Sequence, residues 1–129
     1  MRYDFWFILI AIVFLLMGEG LGIWMAMHAD FALAPMHAHV NLIGWATLAL
    51  YGLIHHNFPA LAKSPVAKMQ FAVAVLAVPV MAAGLFFMLT GDADIAGPAE
   101  NLAISGALLV VLGTLMFLAM FWMEARKKA

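Results

Sequence analysis

Four apolar runs, separated by short polar breaks, constrain this chain more than any other feature. They cover about residues 5–27, 36–57, 66–90 and 99–123. Each is long enough to cross the roughly 30 Å hydrocarbon layer of a bilayer as a helix. In lipid the backbone must satisfy its own N–H and C=O groups, so the expected fold is all-α. The expectation is a four-helix transmembrane bundle forming one domain over residues 1–129. Composition agrees. The chain is 67% hydrophobic and 10% charged, whereas a soluble domain is about 45–50% apolar and about 25% charged.

The breaks carry their own punctuation. A short loop between Met25 and Met36 holds His28 and Asp30, and Pro35 suits the first turn of the second helix. Pro59 closes that helix, and the stretch to Lys68 reads as a loop. Pro79 predicts a kink in the third helix. From Gly91 to Glu100 the chain holds Asp92, Asp94, Gly97 and Pro98, which reads as a turn-rich acidic loop. Met1-Arg2 ahead of an apolar run is how a signal peptide starts. That first run is too long for one and has no small-x-small cleavage site, so a spanning helix is expected.

Charge orients the bundle. With four crossings, Arg2, Lys63, Lys68, Arg126, Lys127 and Lys128 all fall on one side, and Asp30, Asp92, Asp94 and Glu100 on the other. Basic residues mark the cytoplasmic side, so both termini are expected there, in a bacterial-type inner membrane. Trp6 and Trp122 then sit at the inner interface and Trp24 at the outer one.

Several chemistries have no support. Cysteine is absent, which excludes disulfides, thiolate metal sites and thiol nucleophiles. A net charge of −1 offers nothing to nucleic acid. No Gly-rich phosphate loop, Gly-x-Ser-x-Gly or His-Glu-x-x-His occurs.

What remains is imidazole. His37 and His39 open the second helix at the outer side. Histidine is costly near hydrocarbon, and a metal or a haem iron is the natural partner of two neutral imidazoles there. Residues two apart differ by about 200° around a helix, so the pair faces opposite ways and serves two sites. Asn41 lies one turn below His37 on the same face. Gly44 and Gly52 thin the helix, as a flat cofactor or close helix packing requires, and Trp45 lies at mid-membrane. Gly18 and Gly22 form a small-xxx-small pair in the first helix. Glu19 is the acid deep in a span, a candidate proton carrier or hydrogen-bond partner. His55 and His56 read as interfacial side chains. Met25, Met27, His28, Met36, His37 and His39 cluster at the outer end, a thioether–imidazole set that suits copper. His28 is thus a further candidate ligand.

Around Ala34-Pro35-Met36-His37-Ala38-His39-Val40-Asn41-Leu42 the chain resembles the haem–copper oxidase catalytic-subunit superfamily, closest to its cbb3-type and nitric-oxide-reductase branch. That family opens its second helix with a Pro-x-His whose imidazole binds a low-spin haem, and His37 matches the position. The family's subunit arranges twelve spans as three arcs of four. This chain has four, so the resemblance implies one arc, completed by a homotrimer. A later helix of the family carries a His-x-His serving two haems on opposite sides, which His37-Ala38-His39 resembles. The implied protein binds haem b between protomers through His37 of one and His39 of the next. It transfers electrons or senses redox state or a diatomic gas, with a redox protein or quinol as partner. A complete oxygen-reducing site is not expected within one chain. The alternatives are an outer-face copper protein and a helper subunit of a respiratory complex.

Overall fold

The computed structural model describes residues 2–91 and 93–127, with Ala93 described by its backbone alone. Asp92 and Lys128, both part of the charge pattern, lie outside the described residues. The described residues form helices and no strand. Helix α1 spans Tyr3–His28. A second, continuous helical rod follows, made of α2 (Ala34–His39), a π segment (Val40–Thr47) and α3 (Leu48–Asn57). A 3-10 turn at Pro59–Lys63 leads to α4 (Ala67–Thr90) and α5 (Ala93–Arg126). The helices α1, α4 and α5 are each long and apolar enough to cross a membrane.

Small residues set the packing. α4 and α5 form a tight antiparallel pair: a Cβ on Gly84 would strike the backbone of Ala103, and one on Gly106 would strike Met81. Gly113 meets Ala74 further down the same seam. Backbones this close gain dispersion contacts along the whole seam, the usual solution where lipid removes the hydrophobic drive. α1 packs on the rod in the same manner. A Cβ on Gly44 would stand 2.8 Å from Phe14 and 3.0 Å from Val78, so α1, the rod and α4 converge there. Gly52 meets Ile8. Both rod glycines therefore serve helix packing within the chain.

At the base-rich end the four helical segments close into one core. Phe7 meets Phe71 at 4.8 Å between ring centroids, and Tyr51 meets Phe117 at 4.3 Å. The rod and α4 touch across the short diagonal, which leaves α1 and α5 at opposite corners.

Three local features depart from the sequence reading. α1 continues through His28, where a loop is expected from Met25. Ala29, in the left-handed region at φ 50°, ends it, and Asp30 N–H reaches back to Met25 O at 3.2 Å. The acidic stretch read as a loop is helical from Ala93. Its Gly, Pro and Asp content signals a turn, but Ile95, Pro98, Ala99 and Leu102 recur at helical spacing beside Phe87. Of these only Ala99 is buried, at the start of the seam with α4, while Ile95, Pro98 and Leu102 stay exposed. The third departure is the π segment, which starts directly after His39. Thr47 Oγ1 donates to Leu42 O, five residues back, at 2.9 Å.

Candidate functional site

His37 and His39 sit on the last turn of α2, and the structure sends them to different neighbours. His37 lies over α1: a Cβ on Gly22 would come 3.0 Å from its ring. Asn41, one turn on, fills the space that a side chain on Gly18 would need. The Gly18/Gly22 pair thus admits two polar side chains, where the sequence alone promised a neighbouring backbone. Asn41 Nδ2 donates to His37 O at 2.9 Å and stands 3.4 and 3.5 Å from the two ring nitrogens. These last distances are too long to fix the ring.

His39 faces away. It edges an open groove between α4 and α5, with Met81, Leu85, Met88, Glu100 and Ile104 around it. Its Nδ1–H donates to Pro35 O at 2.7 Å. That bond sets the tautomer and leaves the Nε2 lone pair unused, the arrangement by which proteins orient a metal-ligating imidazole. His28 makes the same kind of bond, Nδ1–H to Trp24 O at 2.8 Å, and stacks on the Trp24 ring.

The other expected site residues are scattered. Trp45 is half-buried against the core. Gly44 is enclosed by Phe14 and Val78 and has no open face for a ring. Met25 is buried while Met27 is 77% exposed, so the two thioethers do not face one point. Among the described residues no group of three or more His, Asp or Glu side chains could hold a metal ion. Glu19 projects from α1 away from the bundle and makes no side-chain hydrogen bond among the described residues.

His55 and His56 require a correction. Both read as interfacial, but adjacent residues on a helix diverge by about 100°, and only His56 is exposed; it approaches Asp4 Oδ2 at 3.4 Å. His55 is 3% exposed, stacked on Phe7 and bordered by Tyr3 and Phe117. Among the described residues neither of its nitrogens has a hydrogen-bond partner, and the fully buried amide of Gln70 has none either. Nothing in the sequence singles out Gln70 beyond its polarity inside an apolar run. Glu100, read from the sequence as part of an acidic loop, lies beside His39 in the groove.

No family model, curated protein or solved structure matches this chain.

Proposed function

We propose that this chain is a four-span integral-membrane protein that binds haem b between copies of itself. His39 of one copy and His37 of the next are the axial ligands, and the Lys/Arg-rich end faces the cytoplasm. The observation that carries this reading is the bond from His39 Nδ1–H to Pro35 O on the edge of an open groove. It presents an oriented imidazole with a free Nε2 to whatever fills the groove.

His37 and His39 face opposite ways on one turn, so they cannot ligate the same iron from within one chain. Two copies solve the problem, since each rod then contributes to two sites. Met81, Leu85, Met88 and Ile104 supply apolar walls, and Glu100 places one acid at the rim. His37 is free to turn toward a ligand because its ring is held by no short hydrogen bond. A haem with two imidazole ligands has no open position and passes single electrons, so the function is electron transfer or redox sensing. Copper has no comparable support, because the outer methionines do not converge.

Absorption spectroscopy of purified protein tests the reading. A Soret band with a low-spin bis-imidazole spectrum and one haem per chain is expected. His39→Ala and His37→Ala should each abolish the low-spin form. Protein with no Soret band, or a His39→Ala variant with an unchanged spectrum, overturns it.

A further inference from the structure

Glu19 sets a problem that the single chain does not solve. It lies well inside α1, on a stripe with the exposed Ile12, Leu16 and Ile23, and it has no partner among the described residues. A carboxyl on a lipid-facing helix surface is expensive, and such groups find a polar partner in a neighbouring helix. Next to it, Gly20 has nothing within 4 Å of where a Cβ would stand. Gly18 and Gly22 are covered by Asn41 and His37; Gly20 alone of the three leaves bare backbone facing outward.

The register of the bundle shows what lies at the same depth elsewhere. Gly18 is opposite Asn41, Gly44 opposite Val78, and Met81 opposite Gly106. Glu19 is therefore level with Ser105 on α5. Ser105 is exposed and shares a face with Asn101, four residues before it. Ser105 Oγ donates to Asn101 O at 2.8 Å and keeps its acceptor capacity, while the Asn101 side-chain amide makes no hydrogen bond among the described residues. Leu108 and Leu112 continue that face and are exposed. Two apolar stripes, each with one polar spot at the same depth, thus lie on the two helices at opposite corners of the bundle.

We propose that α1 of one copy docks along α5 of a second copy, Gly20 allowing close approach and Glu19 bonding to Asn101 and Ser105. The Asn101 amide donates to the carboxyl, and Ser105 Oγ accepts its single O–H when it is protonated. The two surfaces differ, so the contact is head-to-tail and closes into a ring. It uses other residues than the haem reading and shares with it only the presence of several copies.

The chain has no cysteine, so paired thiols give a clean test. The Leu16→Cys/Leu108→Cys double variant, one turn along the same two exposed stripes, oxidised in native membranes, should form a covalent ladder ending at the closed ring. Each single variant should remain uncrosslinked. Absence of the ladder overturns the contact, and so does a dimer from Leu16→Cys alone, which would mean α1 meets α1. Glu19→Leu should weaken association of the full-length protein in detergent about tenfold, equivalent to about 1.4 kcal/mol; Glu19→Gln should restore it. Equal association of the Leu variant and the parent also overturns the proposal. A ladder in protein without haem rejects the haem reading and leaves this contact standing; haem with no ladder does the reverse.

Discussion

Neighbouring histidines in this chain have opposite fates. His37 rests on α1 while His39 edges the groove; His55 is buried while His56 meets Asp4. The first separation is legible in the sequence, because the angle between residues two apart is a local property of any helix. The second is not, since only packing decides which of two adjacent residues turns inward. His55 is held among aromatic rings without a hydrogen bond, and a buried polar group in that state costs about 1–3 kcal/mol. His55→Phe keeps the ring shape and removes the orphaned nitrogens. It should therefore leave stability unchanged or raise it by up to about 2 kcal/mol. Thermal or denaturant unfolding in detergent micelles checks this, with circular dichroism as the readout. Marked destabilisation would show that His55 does have a partner.

At the scale of elements, apolar length located the helices and most of their ends; the start of α5 is the exception. α5 begins at Ala93, through a stretch whose Gly, Pro and Asp residues signal a turn, and of its first residues only Ala99 is buried. The π segment had no signal at all; its widened turn depends on how the rod fits between α1 and α4. The seam between α4 and α5 is the tightest contact in the molecule. Adding a side chain at Gly84 or Gly106 forces the two backbones apart. Gly84→Leu and Gly106→Leu should each destabilise the fold by about 3 kcal/mol or more, near the upper end for overpacking. Gly97→Leu, at an open position, should cost far less. Comparing the three by unfolding midpoint in one detergent provides the measurement.

For the whole molecule, the described bases gather at one end. Lys63 and Lys127 border one cavity at the end that also holds Arg2, and Asp30, Asp94 and Glu100 lie toward the other. The sequence contained this sorting once four crossings were assumed. It also contained the opposed directions of His37 and His39. It did not contain the groove, which exists only when α4 and α5 are placed beside the rod. The orientation we propose predicts that Ser64→Cys is shielded from a membrane-impermeant maleimide in intact spheroplasts, and that Ala32→Cys reacts. The opposite labelling pattern would invert the assignment.

The two-residue connection between Thr90 and Ala93 bears on how the protein is made. α4 leaves the ribosome with Ala74, Met81 and Gly84 on the face that α5 covers. So short a link suits entry of the two helices as one hairpin, and the connection carries no Lys or Arg to resist transfer. The second half of the chain is therefore a unit of biogenesis as well as of packing. A nascent chain halted within α5 would present a sticky, uncovered α4 to the quality-control proteases.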